Sequence, residues 1–144
     1  MKFKHEYQLQ ITIDQPIEVV TSLYVNRQTM HLWEKGLIQI IDEKNQLFQE
    51  DSSGYLVFSL NEFEMKMKTT VISNKLPDEI TIIYEVPGAW NQCINRFIAD
   101  HEKTKWTMDV IFEMETETFI PKERFIEKTM QAMNIYKEFV ETYE

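Results

Sequence analysis

Few polar residues in this chain have the types and spacing that chemistry requires, and they fall on strand-like segments. His5 and Tyr7 alternate with charged residues near the start of the chain, and Asn91, Cys93 and Asn95 repeat that spacing further along. A spacing of two puts side chains on one face of a strand, so the members of each set point the same way. An inward imidazole could orient or deprotonate a ligand near neutral pH. The alternative for His5 is a strand-end histidine that is hydrogen bonded or half exposed.

The positions of the remaining histidines, the motifs that are missing and the single cysteine argue against several kinds of site. His31 falls on a predicted helix and His101 in a predicted turn, so the three histidines lack metal-ligand spacing and we predict no metal. No Ser-His-Asp arrangement, phosphate loop or nucleotide fingerprint is found, and we predict no cofactor. The one cysteine, Cys93, rules out an internal disulfide framework. We interpret it as an inert buried thiol, since Arg96 falls on the opposite face.

Composition limits the partners. The net charge of −9, from 24 acidic and 15 basic residues, argues against nucleic acids and anionic membrane surfaces. No apolar run is long enough to span a bilayer, and the first residues lack the apolar segment of a secretion signal, so we expect a cytoplasmic protein with no membrane insertion. A length of 144 residues predicts one domain, residues 1–144.

The last stretch, Pro121 to Glu144, predicts one long helix. Pro121 suits the first helical turn, and no further Gly or Pro follows it. One wide stripe holds the apolar positions Phe125, Ile126, Thr129, Met130, Met133, Tyr136, Phe139, Val140 and Tyr143. Such a helix needs an apolar surface to cover, and the strand-like segments before it can supply one. We therefore predict a sheet folded around this helix.

The preceding segments divide at turn-forming residues. Phe3 to Ile13 alternates as a half-buried strand, and two short helices follow, Ile17–Val25 and Asn26–Lys35, the second stopped by Gly36. From Leu37 to Thr118 the apolar period is two, which predicts a run of strands. These segments end near Asp42, Glu50, Leu60, Ile72, Val86, Ala99 and Glu117.

Parity predicts which residues face the interior. If Asp100 to Lys103 is a four-residue turn, Phe97 faces Trp106 and Cys93 faces Val110 across an antiparallel hairpin. The other inward positions are then Asn91, Asn95, Met108, Ile80, Ile82, Tyr84, Met65, Met67, Thr69 and Val71. An inward amide must find a partner, which a wet or ligand-filled cavity would supply. The alternative is an odd turn or a bulge, which would turn both asparagines to solvent.

Three short stretches carry a family resemblance. They are the strand-to-helix sequence from Ile13 to Val20, Trp33-Glu34-Lys35-Gly36, and the closing Tyr136 to Glu141. Together with the element order they resemble the START-like or SRPBCC superfamily, which includes polyketide cyclases and dehydrases, lipid-transfer domains and the birch-pollen allergen family. The resemblance implies an α+β helix-grip fold, a curved antiparallel sheet of about six to seven strands around the C-terminal helix, often with a deep apolar cavity. An aromatic residue of some relatives is replaced by Val20, which leaves the subfamily open.

The leading functional hypothesis is binding of a small hydrophobic molecule, a lipid, polyketide or aromatic compound, between sheet and helix. The predicted ligand-binding residues are His5, Tyr7, Met65, Met67, Tyr84, Asn91, Cys93, Asn95, Phe97, Trp106, Met108, Met133 and Tyr136. One alternative is a cyclase or dehydrase that uses His5 or a tyrosine as acid or base. Another is a protein-interaction role like that of the Hsp90-activator branch of the superfamily. The methionines suit an adaptable pocket and a filled core equally.

Overall fold

The computed structural model describes residues 3–144 and consists of one sheet and two α-helices. The strands are β1 (Phe3–Ile13), β2 (Leu37–Ile41), β3 (Ser53–Leu60), β4 (Phe63–Lys75), β5 (Glu79–Val86), β6 (Ala89–Asp100) and β7 (Lys103–Met114). The helices are α1 (Ile17–Tyr24) and α2 (Lys122–Thr142), with a single 3₁₀ turn at Met30–Leu32. The sheet has seven strands in the order β1-β7-β6-β5-β4-β3-β2, and every neighbouring pair is antiparallel.

Short turns join the central strands and fix their register. Pro87-Gly88 connects β5 to β6, and Gly88 has a φ of 85°, which only glycine adopts without strain. Asp100 pairs with Lys103, so Phe97 lies opposite Trp106, and Cys93 lies opposite Val110, as parity predicted. Asn91 and Asn95 therefore point inward. The prediction for this hairpin is confirmed, and the alternative of an odd turn is wrong.

The second short helix is not formed. Residues 26–35 instead make successive three-residue turns, with the Leu32 N–H donating to the Thr29 carbonyl at 2.9 Å, and only Met30–Leu32 is 3₁₀ helix. These turns bring the Trp33 ring over that of Tyr24, with centroids 5.5 Å apart. Packing of one tryptophan into the core thus overrides the helical pattern.

The predicted strand segment ending near Glu50 is also wrong. Residues 42–52 form a loop around Asp42, whose carboxylate accepts from the backbone N–H groups of Gln46 and Leu47, each at 2.6 Å. Arg27 donates to the same carboxylate at 3.0 Å. The backbone bond from Leu47 contributes most to a lowered pKa of this carboxyl. One side chain thus replaces the strand pairing that the alternation suggested.

Several element ends differ from the predictions. β4 continues past Ile72 to Lys75 through a bulge, which leaves Ile72 47% exposed. β7 stops at Met114, short of the predicted Glu117. Pro121 is the N-cap of α2 and lies outside its first turn. None of these changes alters which face of the sheet is inward.

α2 lies against the inner face of the sheet, and its C-terminal half is its most buried part. Met133, Tyr136 and Val140 are fully buried, and the Tyr136 hydroxyl donates to the Val20 carbonyl of α1. The first half of the apolar stripe is only half-buried. Beneath that half the core opens into a cavity.

Candidate functional site

A cavity of about 530 Å³ lies between the sheet and the first half of α2. Its floor is made of the buried side chains Tyr24, Phe58, Cys93, Trp106, Met108, Val110 and Met133. Its half-buried walls are Trp33, Glu34, Met65, Met67, Tyr84, Asn91 and Thr129. The exposed residues Lys35, Leu60, Lys128 and Ala132 surround its mouth. The mouth therefore lies between the Trp33–Lys35 turn, the end of β3 and α2.

Eight of the predicted ligand-binding residues line this cavity. They are Met65, Met67, Tyr84, Asn91, Cys93, Trp106, Met108 and Met133. They come from β4, β5, β6, β7 and α2, and the antiparallel register described above brings them to one place. The structure places the other five, His5, Tyr7, Asn95, Phe97 and Tyr136, outside the lining.

Asn95 is fully buried and bonded to the protein itself. Its Oδ1 accepts from Trp106 Nε1 at 3.0 Å and from the Tyr24 hydroxyl at 3.3 Å, and its Nδ2 donates to the Ile80 carbonyl at 3.5 Å. The inward amide that suggested a ligand thus has protein partners. Asn91, two residues earlier, does reach the cavity wall, where its Oδ1 lies 3.7 Å from Cys93 Sγ.

His5 and Tyr7 lie at another place on the inner face, under the start of α2. The His5 ring is 4.8 Å from that of Phe125, and its Nε2 is buried without a hydrogen-bond partner among residues 3–144. The Tyr7 hydroxyl is 2.7 Å from Thr129 Oγ1 and donates to the Phe125 carbonyl at 3.3 Å. Both residues lie on β1 and contact α2, and neither lines the cavity.

Cys93 and Tyr84 present polar atoms that stay protonated at neutral pH. Burial raises the pKa of the Cys93 thiol to about 12, against a weaker opposing hydrogen bond with Asn91. Burial also raises the pKa of Tyr84 well above its ordinary value, and a hydrogen bond with Tyr24 opposes this. A thiolate is the nucleophilic form of cysteine, so the cavity floor holds no ready nucleophile.

The Trp33–Lys35 turn supplies the part of the wall that sequence reasoning missed. In the sequence, Trp33, Glu34 and Lys35 fall at the end of a predicted helix and carry only the family resemblance, so nothing in the pattern shows that they reach the cavity. Glu34 is half-buried in the wall, and burial raises its pKa to about 7. This carboxyl can therefore exchange its proton near neutral pH.

Trp33 carries a buried N–H group without an acceptor. Its ring stacks on Tyr24 and meets the Tyr136 ring at 4.6 Å, edge to face, while Nε1 has no hydrogen-bond partner among the described residues. Leaving such a donor unpaired costs about 1–3 kcal/mol. The Trp106 indole on the cavity floor has its acceptor in Asn95, so the two tryptophans of the lining differ in this respect.

Neither a metal centre nor a membrane span is found in the part of the chain that the structure describes. Across residues 3–144, no group of three or more His, Cys, Asp or Glu side chains could hold a metal ion. Over the same range no helix has the length and apolar character needed to cross a bilayer.

The curved seven-stranded antiparallel sheet around a long C-terminal helix is a START/SRPBCC-type helix-grip fold, as the sequence resemblance implied. The chain is similar to the crystal structure of Ara h 8.0201, with a TM-score of 0.78 and 9% identity over 96% of this chain and 98% of that one. It is also similar to a START superfamily protein from Mycobacterium smegmatis, with a TM-score of 0.75 and 12% identity over 97% and 99% of the two chains.

A third similar structure is DynU16, a protein in the dynemicin biosynthetic locus. Its TM-score is 0.72 at 12% identity, and the match covers 95% of this chain but 47% of that one. At these identities the likeness extends to the fold alone. No family model matches the sequence, and no curated protein matches it.

Proposed function

We propose that this protein binds a small hydrophobic molecule in the cavity between the sheet and α2. The observation that carries the proposal is the cavity itself, whose floor is apolar and whose mouth opens between charged and apolar side chains. A volume of about 530 Å³ lies within the roughly 300–1,000 Å³ of small-molecule pockets.

The lining can adapt to ligands of different shapes. Four methionines, Met65, Met67, Met108 and Met133, contribute to it. Their unbranched, polarizable side chains adapt to irregular apolar surfaces. Lipids, polyketides and aromatic compounds all fit this description, and they share a large apolar surface that burial removes from water.

Native mass spectrometry of the protein purified from cells tests the proposal. We expect the wild type to carry an apolar compound that is released on denaturation. Ala132→Trp should block the mouth and lower ligand occupancy at least about tenfold, since Ala132 lies at the opening of the cavity. The matched control is Gln131→Trp, on the neighbouring exposed position that does not line the cavity.

A substitution in the cavity floor gives a second, independent test of ligand binding. Cys93→Phe should fill the cavity and exclude the ligand, while Ile94→Phe, on the outer face of the same strand, should not. Thermal unfolding of all four variants identifies any that fail to fold. Equal ligand occupancy in the wild type, Ala132→Trp and Cys93→Phe would contradict binding in this cavity.

An enzyme of the cyclase or dehydrase kind acting on the same ligand is the second candidate, and Glu34 is the observation that favours it. A carboxyl with a pKa of about 7 in a cavity wall has the properties of a general acid or base. Under this hypothesis Glu34→Gln abolishes conversion of the ligand and leaves its affinity within a few-fold. His5→Ala serves as the control, because His5 does not line the cavity. Loss of turnover in both variants or in neither would contradict this role of Glu34.

A further inference from the structure

A half-buried carboxyl in the cavity wall indicates which kind of ligand the cavity accepts. We infer that this ligand is a hydrophobic amine, whose protonated nitrogen pairs with the Glu34 carboxylate while its apolar part lies on the cavity floor. The inference rests on the proposed function, since it names the ligand class of the same cavity. It differs from an acid or base role of Glu34, in which the carboxyl acts in turnover and contributes little to affinity.

The Glu34 carboxyl lies close to the other polar groups of the cavity. Burial is the main cause of the raised pKa values of Tyr24, Tyr84 and Cys93, and the negative charge of Glu34 adds to each of them. These three residues belong to α1, β5 and β6, and all of them line the cavity. The carboxylate therefore acts on groups of both the floor and the walls, and a ligand among them would lie within the range of its charge.

Burial gives this negative charge more weight than the positive charges at the mouth. Glu34 is half-buried, whereas Lys35 and Lys128 are exposed, so solvent and salt screen the lysines more strongly. An ammonium group beside Glu34 would thus be attracted more than the lysines repel it. A ligand carboxylate would instead place two like charges in a partly buried site. The net charge of the chain, −9, also favours the approach of cations over that of anions.

The rest of the lining suits the remainder of such a ligand. Aromatic rings attract cations electrostatically, and those of Trp33, Tyr84 and Trp106 line the same cavity as Glu34. The methionines of the floor and walls supply an adaptable apolar surface. A carboxyl, aromatic rings and an apolar surface together can recognise an ammonium group attached to an apolar body.

Three probes of matched shape test the inference by calorimetric titration at pH 7.5. They are 2-naphthylmethylamine, which is cationic, 2-naphthylmethanol, which is neutral, and 2-naphthoic acid, which is anionic. We expect the wild type to bind the amine about tenfold more tightly than the alcohol. Glu34→Gln keeps the shape of the side chain and should reduce this ratio to about threefold or less. Glu43→Gln, at an exposed loop position outside the lining, should leave the ratio unchanged.

Proton release on binding gives a readout that does not depend on a variant folding. The pKa of Glu34 is about 7, so at pH 6.5 most of this carboxyl is protonated before the amine binds. A cation beside the carboxyl favours its ionised form. Binding of the amine should therefore release about half a proton, and binding of the alcohol none, as measured by titration in buffers of different ionisation enthalpy.

The released proton can be assigned to Glu34. The other titratable groups of the lining keep their protons near neutral pH, the tyrosines and the thiol as neutral groups and the lysines as cations. They are Tyr24, Lys35, Tyr84, Cys93 and Lys128. Release with the amine alone would thus report a cation beside the Glu34 carboxyl.

The outcomes separate this inference from the proposed function. Equal binding of amine and alcohol in the wild type, without proton release, overturns the inference and leaves hydrophobic binding standing. Tighter binding of the acid than of the amine also overturns it, since the lysines at the mouth would then set the preference. A preference for the amine that persists in folded Glu34→Gln overturns the role of Glu34. Binding of none of the three probes overturns the proposed function for molecules of this size, and the inference with it.

Discussion

The side-chain oxygen of Asn95 accepts a hydrogen bond from Trp106 Nε1 at 3.0 Å, and both side chains are almost completely buried. Trp106 is part of the cavity floor, whereas Asn95 does not line the cavity. A polar pair in an apolar core fixes the orientation of the tryptophan, because any other orientation would leave its N–H without an acceptor. The shape of the cavity floor therefore depends on an amide that does not line the cavity itself.

Asn95→Leu should destabilise the protein by about 2–4 kcal/mol, because it leaves the Trp106 N–H and the Tyr24 hydroxyl without their shared acceptor in a buried site. Urea denaturation measures the free energy of unfolding. In a Trp106→Phe background the same substitution should cost less, by about 1 kcal/mol or more. Equal costs in the two backgrounds would mean that the hydrogen bond to Trp106 does not contribute to stability.

Glu34 should make stability fall as pH rises. Its pKa is about 7 in the folded protein against an ordinary value of 4.5, so the native state holds a proton that the unfolded state has lost between these pH values. The free energy of unfolding should therefore drop across this window and level off above pH 7. Because the side chain is half-buried, we expect a drop of about 1–3 kcal/mol relative to Glu34→Gln.

Denaturation of wild type and Glu34→Gln at a series of pH values measures this difference. Glu43→Gln, at an exposed loop position, is the control and should follow the wild type. A constant difference between the wild type and Glu34→Gln from pH 4.5 to 7 would show that Glu34 is not buried enough to retain its proton.

The Cys93 thiol should react slowly in the folded protein. Burial raises its pKa from 9.0 to about 12, which lowers the thiolate fraction at pH 8 by roughly 10³-fold. Labelling with an aromatic disulfide reagent should be slower by at least that factor in the native protein than in urea. An apolar ligand should slow it further, since Cys93 lines the cavity. Native labelling within about tenfold of the unfolded rate would contradict this placement.

Tyr7→Phe separates a structural role of Tyr7 from the predicted role in ligand binding. The substitution removes the hydroxyl that contacts Thr129 Oγ1 at 2.7 Å, and we expect a loss of about 1 kcal/mol in the free energy of unfolding. Ligand affinity should stay unchanged, because Tyr7 does not line the cavity. Tyr55→Phe, at a position 41% exposed, is the matched control for stability. A large loss of affinity in Tyr7→Phe would instead support the prediction made from the sequence.

The sequence predicted the register of the central hairpins because their turns are short. The pairing of Asp100 with Lys103 fixes the parity of two strands, and from it follow the inward positions of Asn91, Cys93 and Asn95. Parity places these residues on one face of the sheet but does not show which of them reaches the cavity. Asn95 lies within reach of Trp106 and Tyr24, whereas Asn91 lies on the cavity wall, and that difference depends on the curvature of the sheet and the path of the chain after α1.

Regions without a regular period were predicted poorly. Leu47 and Phe48 are adjacent in the sequence and both buried, and they belong to the loop around Asp42, where no strand pairing fixes which way a side chain points. Trp33 and Glu34 lie in a turn whose direction is set by packing on Tyr24. The sequence pattern therefore did not predict the part of the cavity wall that lies nearest the mouth.

The pairing of β1 with β7 has a consequence for how the chain is made. Phe3 lies opposite Met114, whereas each of β2 to β6 pairs with the strand that follows it. Strands joined by short connections can associate as they leave the ribosome, while contacts between distant residues form late. During synthesis β1 therefore has no strand partner until β7 has emerged, and one of its faces is apolar. Molecular chaperones that bind extended apolar segments would meet it in this interval.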